Sequence, residues 1–213
     1  MPSKNYDLVF QEKNYEEDNV RNQILQLATE LKVDFLFLGY SGRKGPKEDP
    51  SFMGQTVKNS LYKTSIPLIV VKKLYKRKEK KDLGFNFLVC IDGSEKSFKA
   101  LNVALSLCVK EDRVYAVTAP SIQGEQIAET IKIKIEEIKN GNSDRTISYE
   151  ILQTTNNPAK DLVDFVNFNE KIDFDFAVVG NNGIRAQIEG KQFLGRMAEY
   201  LLANVKANPI IIP

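Results

Sequence analysis

Asp34-Phe35-Leu36-Phe37-Leu38-Gly39 and Asp175-Phe176-Ala177-Val178-Val179-Gly180 read as one segment written twice, 141 residues apart. Each is an apolar run led by an aspartate and closed by a glycine. The same offset carries Gly42 onto Gly183, Gly54 onto Gly195 and Leu61 onto Leu202. One extra residue then carries Pro67 onto Pro209, followed by Leu68-Ile69-Val70-Val71 and Ile210-Ile211-Ile212. Both copies therefore predict a buried strand, a glycine loop, a helix, a proline and a second buried strand. Three glycines in register with flanking apolar runs make a repeat, and a repeat sets the fold before any single element does.

Working outward from the second copy, Phe85–Ile91 suits a strand buried on both faces. Asp92-Gly93-Ser94 breaks it, and Ser94 is placed to cap a helix carrying Phe98, Leu101, Leu105 and Cys108. Val114–Ala119 is the next strand. Ile127, Ile131, Ile135 and Ile138 mark an amphipathic helix. Ile147–Leu152 alternates as a strand does. Pro158 opens a helix with Leu162, Phe165 and Val166. Phe174–Val179, a helix with Leu194, Met197 and Leu201, and Pro209–Ile212 complete the unit. Strict alternation of strand and helix predicts an α/β fold, a doubly wound parallel sheet with helices on both faces. Such sheets bind ligands beyond the carboxyl ends of their strands, where connections diverge to opposite faces.

The first copy is shorter. Tyr6–Phe10 matches the third strand of the unit, and Val20, Ile24, Leu25 and Ala28 match its third helix. Strands one and two have no counterpart. The expectation is that an N-terminal half is missing from this sequence, which would leave an apolar strand edge exposed. The organisation expected is a partial domain at 1–72, a basic linker at 73–84 and a complete domain at 85–213. Around the linker, residues 72–82 carry seven basic and two acidic side chains.

Composition narrows the chemistry. The chain has 213 residues, a net charge of +2, two cysteines and no histidine. Without histidine there is no Ser-His-Asp triad, no His-assisted cysteine and no His-ligated metal. Two cysteines, Cys90 and Cys108, make neither a four-cysteine zinc site nor a secreted disulfide framework. Both are expected to be buried small apolar residues in a reducing, cytoplasmic compartment. The longest apolar run, residues 66–71, is far short of the ~20 that cross a bilayer, and Met1 to Phe10 holds no apolar signal-peptide segment. No membrane contact is expected. Neither folded part is basic, so no nucleic-acid partner is expected either.

The strongest constellation is Gly180-Asn181-Asn182-Gly183 followed by Gly195-Arg196 at a helix start. Glycines after a strand admit close backbone approach, and a helix N-terminus offers N–H groups to an anion. In both copies eleven residues separate the second and third glycines. The alternative is loop geometry alone. Asp92 is either a turn residue or a carboxylate at the ligand crevice beside Gly180.

With these residues in place the chain resembles a tandem universal stress protein. The resemblance rests on Leu88-Val89-Cys90-Ile91-Asp92-Gly93-Ser94, on Ala177-Val178-Val179-Gly180-Asn181-Asn182-Gly183 and on Pro209-Ile210-Ile211-Ile212. It covers 85–213 as a whole domain and about 6–72 as a C-terminal half. It implies a Rossmann-like five-stranded sheet of order 3-2-1-4-5 and binding of an adenine nucleotide, ATP with magnesium. It would place Ile91 and Asp92 near the adenosine and Ala119 near the adenine. Gly180, Gly183 and Gly195 would surround the ribose and phosphates.

The nucleotide-binding pattern of the family is G-2x-G-9x-G-S/T. Here the loop is two residues longer, and Arg196 stands where Ser or Thr is expected, as Gln55 does in the first copy. The resemblance makes Arg196 either a substitute phosphate contact or a plug. Arg185 and Lys191 in the loop favour an anion, and Glu189 opposes it. The first copy has no counterpart of Asp92, so its site is expected to be dead.

Efficient catalysis is not expected, since no Walker sequence occurs; slow ATP hydrolysis is the upper bound. Three readings stay open. One is a nucleotide-responsive stress regulator. Another is an interaction scaffold that binds no nucleotide. The last is a relative of nucleotide α-hydrolases that needs magnesium and Asp92. The resemblance also implies pairing through the fifth strands, Leu68–Val71 and Ile210–Ile212, as a homodimer or as a pseudo-dimer within one chain.

Overall fold

The computed structural model describes residues 20–41, 53–73, 84–120, 125–184, 188 and 194–213. Tyr6–Phe10, Gly42, most of the linker, Arg185, Glu189 and Lys191 lie outside these residues. In chain order the elements are α1 (Val20–Glu30), β1 (Leu36–Gly39), α2 (Gln55–Lys63), β2 (Leu68–Val71), β3 (Asn86–Cys90) and α3 (Glu95–Leu107). They continue with β4 (Arg113–Thr118), α4 (Glu125–Gly141), β5 (Thr146–Ile151), α5 (Pro158–Phe168), β6 (Phe176–Gly180), α6 (Arg196–Asn204) and β7 (Asn208–Ile212).

The strands form one seven-stranded sheet in the order β1-β2-β7-β6-β3-β4-β5. Every neighbouring pair is parallel except β2 with β7. The sheet thus has seven strands where five were expected. β2 and β7 meet at its antiparallel junction, Leu68 opposite Ile211 and Ile69 opposite Ile210. Both strands are apolar on both sides, so neither is suited to lie at an edge in water.

Two apolar layers sandwich the sheet. One gathers Val57 and Leu61 of α2, Leu162, Val163 and Val166 of α5, and Leu201 and Leu202 of α6. The other gathers Phe98, Leu101, Ala104 and Leu105 of α3 with Ile131 and Ile135 of α4. Leu101, Leu201 and Leu202 are fully buried, each stabilising by about 1.5–3 kcal/mol relative to exposure. Ser94 caps α3, its hydroxyl accepting from Ser97 N–H at 3.2 Å. Asn157 caps α5 ahead of Pro158. On α4 the apolar stripe is only partly used, for Ile127 is 41% exposed while Ile135 is fully buried.

Several backbone hydrogen bonds recur at the same sequence offset. Tyr40 N–H donates to Val71 O, and Asn181 N–H to Ile212 O. Gly54 N–H donates to Tyr40 O, and Gly195 N–H to Asn181 O. Leu36 pairs with Leu68 as Ala177 pairs with Pro209. Every one of these correspondences keeps the offset of 141, strands β2 and β7 included. The one-residue slip expected at the prolines is therefore corrected: Leu68, not Pro67, stands where Pro209 does, and Asn208 occupies the place of Pro67.

Candidate functional site

Strands β3 and β6 lie side by side, yet the helices after them go to opposite faces, α3 to one layer and α6 to the other. A crevice must open between their carboxyl ends. It holds a cavity of about 480 Å³, counting its mouth. Cys90, Ile91, Val117, Ala119, Leu162 and Val179 are apolar residues of its lining, and Asp92, Ser94, Asn182, Gly180, Gly183 and Gly195 supply polar side chains and accessible backbone.

Six of the seven residues singled out in the sequence line this one cavity: Ile91, Asp92, Ala119, Gly180, Gly183 and Gly195. Arg196 does not. It is exposed at the first position of α6, on the rim beside Gly195 and Met197. It is therefore not a plug inside the cavity. Met197, expected in the core, is half-buried against it and also helps to line the cavity.

The carboxylate of Asp92 organises the polar groups of the lining. Its Oδ1 accepts from Ser94 N–H at 3.0 Å and from Ser94 Oγ–H at 2.6 Å. Its Oδ2 accepts from Ile184 N–H at 2.9 Å, tying the end of β3 to the glycine loop after β6. Both readings of Asp92 thus apply to its position, since it closes a turn and also faces the crevice. A Cβ on Gly183 would lie 2.4 Å from Asp92 Oδ2, so the loop approaches this closely only with glycine there. A carboxylate has about four acceptor sites, and these three bonds leave capacity for a ligand hydroxyl.

Two helices begin at the site in different states. α3 is capped by Ser94, whereas Gly195 gives α6 no side-chain cap. Among the described residues no side chain caps the first N–H groups of α6 at the cavity rim, where the helix dipole favours an anion. The loop is braced from below. Asn181 N–H donates to Ile212 O at 2.6 Å, and Asn181 O accepts from Gly195 N–H at 2.6 Å.

Cys90 and Cys108 are both buried, and neither is in a disulfide. Burial, and secondarily the Asp92 carboxylate, push the Cys90 thiol well up, so the floor of the cavity is a protonated thiol rather than a nucleophile. Among the described residues no group of three His, Cys, Asp or Glu could hold a metal ion. Among them, too, no helix is long and apolar enough to cross a membrane.

Lys96 is a residue that the sequence did not single out. Its Nζ donates to Asn181 Oδ1 at 2.7 Å, across 85 residues of chain. Only the packing of α3 against β6 brings the two together, so no local spacing signals the pair.

No protein-family model matches the chain, and no curated protein does. Solved structures do match. A universal stress protein from Archaeoglobus fulgidus superposes with a TM-score of 0.65 at 18% identity, over 90% of this chain. This chain spans 65% of that protein's length. A protein from Pseudomonas aeruginosa UCBPP-PA14, assigned to the same family, gives 0.61 at 13% identity, over 92% of this chain and 69% of its own. A universal stress protein in complex with cAMP matches 61% of this chain and 97% of its own, at 19% identity and a TM-score of 0.45. The fold is shared with universal stress proteins: α/β, Rossmann-like, with a mostly parallel sheet.

Proposed function

We propose that this chain is a nucleotide-responsive regulatory protein of the stress-response type. Residues 85–213 form its complete binding unit, with the 3-2-1-4-5 strand order of the family. Residues 1–72 form a partial second copy, joined through the linker at 73–84. The cavity between β3 and β6 takes an adenine nucleotide. Its apolar lining suits a purine, Asp92 suits the ribose hydroxyls, and the N-terminus of α6 suits the phosphates. ATP is the ligand proposed, with magnesium carried in on its phosphates. Binding without efficient turnover is the activity. The location proposed is cytoplasmic.

The observation that carries this reading is the gathering of Asp92, Gly180, Gly183 and Gly195 around one cavity with an uncapped helix start at its rim. The scaffold reading is favoured by a different observation. Leu68–Val71 and Asn208–Ile212 already pair within one chain, which supports an intrachain pseudo-dimer rather than a homodimer through these strands.

Calorimetric titration of the full chain with ATP, with and without magnesium, separates the two. The nucleotide reading expects saturable binding that Asp92→Ala weakens at least about tenfold, a loss of about 1.4 kcal/mol. No heat from a folded chain overturns it in favour of the scaffold; an unchanged affinity in Asp92→Ala overturns the assignment of the nucleotide to this pocket.

A further inference from the structure

We infer that Lys96 is a phosphate-contacting residue of this cavity and the source of its preference for phosphorylated over unphosphorylated ligands. The inference rests on the nucleotide reading above and adds a named charge to it.

The start of α3 presses on the glycine loop. A Cβ built on Gly180 would lie 3.0 Å from Lys96 Cβ and 3.3 Å from its carbonyl carbon. Lys96 therefore stands directly over the first glycine of the loop. Its Nζ reaches Asn181, whose chain neighbours Gly180 and Asn182 line the cavity, so the ammonium stands beside the lining rather than in it. That amide oxygen is its sole polar partner among the described residues, and no carboxylate among them pairs with it.

The charge is thus held at the site by a neutral group. Burial and the neighbouring Lys99 lower its pKa, as expected of an ammonium that lacks an anion. Lys96 does not serve its own helix either. A cation in the first turn opposes the helix dipole, where Glu95 one residue earlier complements it. A phosphate oxygen offers a charge-assisted bond in place of a neutral one, so exchanging Asn181 for phosphate is favourable. The charge also answers the absence of a hydroxyl at position 196.

The test compares ATP with adenosine on the full chain, by calorimetry, for wild type, Lys96→Met, Lys96→Arg and Lys99→Met. Wild type is expected to bind ATP more tightly than adenosine. Lys96→Met is expected to weaken ATP at least about tenfold and adenosine less than about twofold, with a shallower salt dependence for ATP. Lys96→Arg restores ATP to within a few-fold. The Lys99 Nζ donates to Pro213 O at 3.4 Å and its charge acts on Lys96 from a distance, so Lys99→Met is expected to change ATP affinity by less than about threefold.

Asn181→Ala guards against a mere tether between α3 and the loop. If Lys96 serves phosphate, freeing it leaves ATP affinity within about threefold; if it serves the loop, both ligands weaken together. Parallel losses for ATP and adenosine in Lys96→Met, or no change in either, overturn the inference while the nucleotide reading stands. A wild-type chain that binds neither ligand overturns both.

Discussion

Asp92 and Gly183 are fitted to each other at the scale of single atoms. The glycine has no side chain where the carboxylate Oδ2 sits, and that oxygen accepts the next backbone N–H, Ile184. Gly183→Ala is expected to displace the carboxylate and break this bond, because a methyl carbon cannot sit 2.4 Å from an oxygen. Global stability should change by no more than about 1–2 kcal/mol, since the loop is at the surface. ATP affinity should fall at least about tenfold, read by calorimetry, and the Ile184 amide should lose protection in hydrogen exchange. Unchanged affinity would remove Asp92 and Gly183 from the binding apparatus. The glycines and the aspartate were legible in the sequence because they follow apolar strand runs at a recurring spacing, although of the site's glycines only Gly183 has no room at all for a Cβ. Lys96 was not. Its role depends on α3 crossing over β6, and a lysine in a polar first turn looks like any solvated helix start.

Elements built from equivalent sequence meet different surroundings. Val178 on β6 and Phe37 on β1 are the same position of the repeat, 141 residues apart. Val178 is fully buried beneath α3, whereas Phe37 is 62% exposed. Among the described residues no helix covers Phe37's side of β1; α2 packs on the opposite side, with Leu36 and Leu38. The same kind of substitution should therefore have opposite costs. Val178→Ala removes buried methyl groups and should destabilise by about 2 kcal/mol, from lost transfer energy plus a cavity. Phe37→Ser should stay within about 0.5 kcal/mol and raise solubility. Denaturant midpoints of the two variants check this, and equal losses would mean that Phe37 is covered in solution. The strands and helices themselves were legible from periodicity. The slip at the prolines was misread because proline is conspicuous in sequence but does not fix register. In the sheet, the hydrogen bonds of Tyr40 and Asn181 hold the offset constant, and Asn208 stands where the first copy has Pro67.

Across the whole molecule, the junction of β2 and β7 joins the strands before the linker to those after it, and Asn208 locks it from the β7 side. Asn208 is buried and accepts from the N–H groups of Lys72 and Lys73, while its amide donates to Lys73 O. Pro67, in the equivalent place, has no side-chain amide with which to return the contact. Lys72 extends the lock. Its Nζ donates to Val205 O at 2.9 Å and Ala203 O at 3.3 Å, at the end of α6, and lies 4.4 Å from the centre of the Tyr40 ring. The start of α6 is at the cavity rim, so one short helix links the candidate site to the junction. Sequence could place β2 and β7 as apolar strands, but the partner of Lys72 lies 131 or more residues away and carries no local mark.

Burial lowers the Lys72 pKa from 10.5 to about 8, against the pull of two carbonyls and an aromatic face. Below about pH 8 both folded and unfolded chains hold this proton, and the desolvation cost is fully present. Between about pH 8 and 10.5 the unfolded chain holds it and the folded chain has shed it, so this group makes stability rise with pH. Lys72→Met has no such proton. The stability of wild type minus that of Lys72→Met, measured by urea unfolding from pH 7 to 10.5, should therefore climb across that window, with the tyrosines and other lysines cancelling in the difference. A flat difference would mean that Lys72 titrates as a solvated lysine does and that the junction is open to water. A falling one would mean that the carbonyls of α6 and the Tyr40 ring outweigh burial, so that the ammonium, rather than the neutral amine, closes the lock.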